Sequence, residues 1–349
     1  ASCLVGSEMC IRDSLLIVAL LSQLIFAVND EAILSKRPEA KLSDYDFFES
    51  PKEQIPNDNV HKYFLQTPLF SDYSLKDRFV YIPEEKKAIH SFDKVYEFPV
   101  GTALVKTFSY EMASNKNKVL LETRLLLLQE TGWSAHTYVW DENQEDAFLK
   151  VSGKTIEGIE FLHEGNLKKV DYRVPNQNQC KECHLSGDKI MPIGPKSRNL
   201  NFEVTQHNES INQIDYWIEK GLVESHDPQK VVADWKNKEE SLDDRARAYL
   251  DVNCGHCHMP GGSADTTGLY LSVNEKDVRK LGVNKPPVAA GRASGNLMYS
   301  IVPGKPEKSI LLYRMKSEDP GIMMPESGRA LAHSEGIRLI ESWIKNYDK

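Results

Sequence analysis

Cys180-Lys181-Glu182-Cys183-His184 and Cys254-Gly255-His256-Cys257-His258 repeat one pattern, Cys-x-x-Cys-His, and no other feature restricts the fold and chemistry of this chain as much. Residues three and four apart share a face across a helical turn. Each pattern therefore gathers two thiols and one imidazole on one side of the backbone, the spacing at which two sulfurs take the vinyl groups of a porphyrin and the histidine reaches its iron. The run Ser241 to Val252 reads as a helix leading into the second motif, with Ser241 as N-cap and Asp243 and Asp244 complementing the helix dipole. Two covalently bound haem c groups are expected. Cys180 and Cys183 would attach one, with His184 as proximal iron ligand; Cys254 and Cys257 would attach the other, with His258.

Paired Cys-x-x-Cys also builds zinc ribbons. Here the gap between Cys183 and Cys254 is long for a ribbon, and a histidine directly follows each pair. The chain has no glycine-rich phosphate loop, nucleophile elbow, HExxH or paired-carboxylate pattern above chance.

The remaining cysteines, Cys3 and Cys10, lie near the start, so the haem assignment leaves none for a structural disulfide. Haem attachment of this type implies export, and the N-terminus agrees. Leu15 to Ala27 (LLIVALLSQLIFA) is shorter than the ~20 residues of a spanning helix and suits a signal-peptide core. Ahead of it, CLVGSEMCIRDS resembles translated sequencing-adapter sequence, and residues 1–14 are set aside from fold reasoning. The leader thus occupies 1–27, the mature protein is expected to begin near Val28, and the expected location is the periplasm, with no firm membrane association once the leader is removed. A net charge of −8 argues against nucleic acid or anionic lipid as a main partner.

Residues 28–60 are polar and punctuated, and read as an arm that Phe47 and Phe48 could pin to a surface. Between 61 and 174, short runs rich in β-branched and aromatic residues alternate with turn-rich breaks such as Pro99-Val100-Gly101, which indicates an antiparallel sandwich or partly closed barrel. Leu125 to Leu128 fits a buried helix equally well. Residues 175–235 hold the first motif as a minimal haem unit, because Tyr172-Arg173-Val174-Pro175 cannot supply a leading helix. Ile214-Asp215-Tyr216-Trp217-Ile218 and Ile340-Glu341-Ser342-Trp343-Ile344 match in type and order, so a tryptophan helix follows each motif and suggests an internal duplication.

The second haem needs a ligand on the face opposite His258. Met324, directly before Pro325, is the choice, with Met323 the alternative; a thioether opposite histidine raises the reduction potential. For the first haem the distal ligand is open: Met191 and His207 are candidates, with His226, His90, His136 and His163 behind them. An open iron there would permit small-molecule chemistry. Arg292 and Arg314 are candidates for holding propionates, and His256, between the second pair of cysteines, is expected to be exposed.

The leading helix, the second motif, the long loop, Met324-Pro325 and the C-terminal tryptophan helix together resemble a class I cytochrome c domain over 241–349. The wider order of parts resembles a group of bacterial periplasmic diheme c-type cytochromes with a β-rich N-terminal domain. Thr67-Pro68-Leu69-Phe70-Ser71-Asp72-Tyr73, Phe98 to Thr102, Leu121 to Leu125, Tyr138-Val139-Trp140 and Ile193 to Lys196 carry that resemblance. It implies a multidomain α+β protein: an antiparallel β-sandwich-like domain, a minimal haem-binding segment and an all-α cytochrome c-like domain. The expected function is transfer of single electrons between a redox protein donor and acceptor. Two alternatives stand beside it: a peroxidase-like oxidoreductase with the first haem as open catalytic centre, and a binding protein whose β domain captures a ligand and uses a tethered cytochrome as redox output.

Overall fold

The computed structural model describes residues 27–206 and 209–347. Residues 1–26 of the leader, and His207, lie outside them. The fold is α+β, with every paired strand antiparallel and seven α-helices among the described residues.

After helix α1 (Asp30–Leu34) and the pair β1 (Phe48–Ser50) and β2 (Ile55–Pro56), six strands follow: β3 (Val60–Lys62), β4 (Leu75–Tyr81), β5 (Ala103–Glu111), β6 (Lys118–Gln129), β7 (Gly132–Trp140) and β8 (Ala147–Leu149). They form one sheet in sequence order, each strand paired with the next. A separate hairpin of β9 (Lys154–His163) and β10 (Asn166–Val174) packs against one end of it. Leu125 to Leu128 belongs to β6, because Val105 and Leu104 stand opposite Leu125 and Leu126 and give that apolar run partners on both faces.

Alternation along the strands decides what covers each face. Phe79, Tyr81, Val105, Leu125, Leu127 and Tyr138 point one way, onto Ile33, Leu42, Tyr45 and Phe47. Residues 28–60 are therefore no free arm. Their few large apolar side chains close one face of the sheet, and Phe47 is 1 % exposed. On the other face, Val80, Leu104 and Leu126 meet Ile214, Tyr216 and Trp217 of a later helix, while Phe108, Leu121 and Val139 meet the β9–β10 hairpin.

Beyond the sheet come α2 (Gln177–His184), the small hairpin β11 (Leu185–Ser186) and β12 (Lys189–Ile190), α3 (Ser197–Leu200), the pair β13 (Glu203–Gln206) and β14 (Glu209–Asn212), and α4 (Gln213–Glu219). Helices α5 (Leu242–Leu250), α6 (Ile310–Lys316) and α7 (Ser334–Lys345) complete the chain. Leu339, Ile340, Trp343 and Ile344 make one apolar stripe of α7, which packs on α5 and α6. The two tryptophans of the apparent duplication differ in setting. Trp217 is enclosed by Tyr63 and Tyr96 of the sheet domain, whereas Trp343 donates its indole N–H to Asp243 at 2.7 Å.

Candidate haem sites

Helix α2 delivers the first motif. Asn176 caps it by accepting the Gln179 N–H, and the Gln179 side chain accepts the Asn176 N–H in return, so the helix starts directly after Pro175 without a longer leader. Cys180 is buried, with its sulfur 3.9 Å from Thr137 Oγ1 on β7. Cys183 lies 3.5 Å from Ser327 Oγ. The β11–β12 hairpin turns the chain back so that the Met191 carbonyl accepts the His184 Nδ1–H at 2.8 Å, and Met191 N–H reaches the His184 carbonyl at 2.7 Å. A carbonyl can only accept, so Nε2 of His184 keeps its lone pair, the tautomer that a metal-binding imidazole requires. Burial holds this ring's pKa down to about 4.

Helix α5 delivers the second motif. Ser241 Oγ accepts the Asp244 N–H at 3.0 Å, as expected of an N-cap. After Leu250 the coil widens into a π-type turn, Asp251–Gly255, and a further turn brings the His258 N–H onto the Cys254 carbonyl at 2.9 Å. Asn253 ties this turn outward, accepting the Phe70 N–H at 2.9 Å and donating to the Tyr249 carbonyl. His258 is buried, its Nδ1 lies 3.4 Å from Thr267 Oγ1, and burial brings its pKa down to about 4.

The two motifs touch. Gly187 N–H donates to the Gly261 carbonyl at 2.7 Å, Ser186 bridges Gly262, and the Cys257 thiol lies 3.9 Å from the Glu182 carbonyl. Cys257, and then His256, pull the Cys183 thiol well below its ordinary range. His256 is thus half-buried at the junction, not exposed, because the neighbouring motif covers it; its Nδ1 is enclosed without a partner.

Three cavities open at this junction. The largest, about 670 Å³, has Cys254, Cys257 and His258 on its walls together with Arg314 and Met324. That volume lies within the roughly 300–1,000 Å³ typical of cofactor sites. Two narrower, adjoining cavities of about 160 and 110 Å³ share Cys183, His184, Arg124 and Arg329. The donor sets suit haem c at both motifs, and buried polar atoms without partners, Arg78 Nη2 and Arg124 Nε, lie beside the first.

Met324 lines the largest cavity and the 160 Å³ one alike, so it stands on the partition between the two sites. Met323 is 1 % exposed and packs inward. Arg329 fixes the loop by donating to the carbonyls of Met324 at 3.0 Å and Ser317 at 2.9 Å. Of the other candidates, Met191 is anchored behind the His184 ring, with a side chain 38 % exposed. His136 lines the smallest cavity, its Nε2 3.1 Å from Ser134 Oγ. His90 and His226 stack on each other at 4.3 Å, and His163 pairs with Glu335. Arg314 faces the second site, whereas Arg292 is committed to Asp319 through two contacts of 3.0 and 3.1 Å.

Sequence reasoning missed His333, which lines the 160 Å³ cavity, stacks on Phe70 at 4.1 Å and shares a hydrogen bond between Nδ1 and the Tyr249 hydroxyl. It also missed Arg78, Lys106 and Arg124. Their signal was weak: Lys106 and Arg124 each have a threonine and one apolar residue as neighbours, and Arg78 follows Asp77. No protein-family model, curated protein or solved structure matches this chain.

Proposed function

We propose that this chain is an exported diheme c-type cytochrome that carries single electrons between redox proteins, with 241–349 as its class I cytochrome c-like unit and 61–174 as its β domain. One observation carries the reading: both Cys-x-x-Cys-His sets open onto adjoining cavities at a shared junction. Cys180 with Cys183, and Cys254 with Cys257, would hold the two porphyrins; His184 and His258 would hold the irons, and Met324 is placed to add a sulfur ligand. Haem supplies the one-electron chemistry when bound. The chain's own residues keep both imidazoles neutral and orient their Nε2 atoms through backbone and hydroxyl partners. The contact between motifs places the two attachment sites side by side, which favours exchange between them over exchange of either with solvent.

A second reading, a peroxidase-like oxidoreductase, is supported by the position of Met191, which is held behind His184 and leaves the opposite side of that ring to other groups. Haem content per chain and a redox titration test the main reading: two covalent haems and two one-electron steps are expected, and fewer than two haems would overturn it. Rapid, stoichiometric carbon monoxide binding at one haem would favour the oxidoreductase instead.

A further inference from the structure

Three basic side chains stand in register on the sheet beneath the first motif. Period-two alternation puts Arg78 on the face of Val80, Lys106 on that of Leu104, and Arg124 on that of Leu126. The strand pairing then sets Arg78 opposite Lys106, Lys106 opposite Arg124, and Arg124 opposite Thr137, whose hydroxyl contacts Cys180. Like charges directly opposite one another destabilise a sheet. Lys76, one alternation along β4, adds a fourth.

These charges are poorly matched. Arg78 is 6 % exposed and its Nη2 has no partner; Arg124 Nε has none either, and the ammonium of Lys106 sits over the Phe108 ring at 4.6 Å. Two carboxylates lie near the row: Asp72 is committed to the N–H groups of Ala330 and Leu331, while one oxygen of Glu122 takes Arg124 and the Tyr172 hydroxyl and the other is buried without a partner. Arg329 adds a further cation. The opposite face of the sheet shows how this fold neutralises charge when the charge is only structural: there Asp77 receives both Lys62 and Lys118 at 2.6 Å. Burial, with the neighbouring cations, pulls Lys106 well below the usual lysine range and Lys76 down to about 7, while Glu122 pairs with Arg124 alone.

We propose that the Arg78–Lys106–Arg124 row is an anion site whose occupants are the propionate carboxylates of the haem held by Cys180 and Cys183. The row shares one cavity with Cys183 and His184, and with Cys254 of the second motif; Arg124 also lines the smaller cavity, where Cys180 joins Cys183 and His184, and apolar groups such as Tyr63, Leu65, Leu104 and Ile193 form much of the larger wall. A ligand that is apolar except for two carboxylates matches such a wall. Arginine suits the task because its planar fork meets carboxylates in bidentate fashion. The inference rests on the haem reading above.

The test uses the holoprotein carrying both haems, with Lys106→Met, which keeps the side-chain length and removes the charge. Loss of a cation beside a haem favours its oxidised form, so one of the two midpoint potentials should fall while the other stays, and thermal stability should drop. Adding inorganic phosphate to the wild type should change neither potential. If both potentials hold and the thermal midpoint rises, removal of Lys106 has only relieved repulsion, and the inference fails while the cytochrome reading stands. If phosphate shifts a wild-type potential and Lys106→Met abolishes that shift, the row holds a soluble oxyanion and the propionate assignment fails. Arg78→Met, which removes another cation of the row, supplies the same readout should Lys106→Met not load haem. Fewer than two haems in the wild type would overturn both readings.

Discussion

The carboxylate of Asp72 accepts the backbone N–H of Leu331 at 2.8 Å across 259 positions of sequence, and that of Ala330 beside it. This joins the sheet domain to the loop behind Met324. Asp72 has φ +50, a conformation that Asp and Asn tolerate better than other non-glycine residues. Asp72→Ala should therefore cost about 1–3 kcal/mol for each donor left unpaired, plus backbone strain, and Asp72→Asn much less. Urea unfolding of the two variants checks the ordering; equal losses would contradict it.

Met324 and Met323 separate a cavity-facing sulfur from a packed one. On the diheme reading, with Met324 as the sulfur ligand, Met324→Ala should lower one midpoint potential and open that iron to carbon monoxide, because a thioether ligand raises the potential. Met323→Ala, at a site 1 % exposed, should leave the spectrum intact and lower stability by about 2–5 kcal/mol. Spectra and unfolding curves of both variants distinguish the roles, and the reverse pattern would transfer the ligand to Met323.

Glu335 governs an acid-sensitive contact between the domains. Burial alone would raise its pKa, but hydrogen bonds from His163 at 2.5 Å, its own backbone N–H, Ser334 and Tyr73 outweigh burial and bring it down to about 2. A carboxylate with a depressed folded pKa stabilises above its unfolded value of 4.5, and that contribution is lost as pH falls through the folded value. The difference in thermal midpoint between wild type and Glu335→Gln should thus be full above pH 4.5 and vanish near pH 2. A difference independent of pH would show that the charge of Glu335 is irrelevant.

Glycines at the motif junction differ in what they tolerate. A Cβ at Gly262 would collide with the Cys257 carbonyl, which is backbone and cannot swing away, whereas one at Gly187 meets nothing within 4 Å. Gly262→Ala should reduce haem attachment at Cys254 and Cys257. Gly187→Ala, at φ +63, should cost only backbone strain of roughly 1–3 kcal/mol. Mass spectrometry of haem-bearing peptides measures attachment at each motif, and normal loading of Gly262→Ala would remove this role.

By itself the sequence determined what depends on near neighbours. The cysteines and histidine of each motif fall within one turn, Ser241 announces its helix, and alternation marks the strands, because each of these is settled by residues a few positions apart. Phe47 and Phe48 read as residues able to pin a polar arm to a surface; only the packed fold shows that they, with Tyr45, close one face of the sheet. Likewise Arg78, Lys106 and Arg124 each look like a solitary basic residue until strand register aligns them. The contact of Gly187 with Gly261, and the station of Met324 between two cavities, are set by loop closure over long stretches of chain, whose outcome depends on which surfaces are left to bury. For that reason the Cys-x-x-Cys-His pair was legible from the first reading, while the meeting of its two halves belonged to the tertiary structure alone.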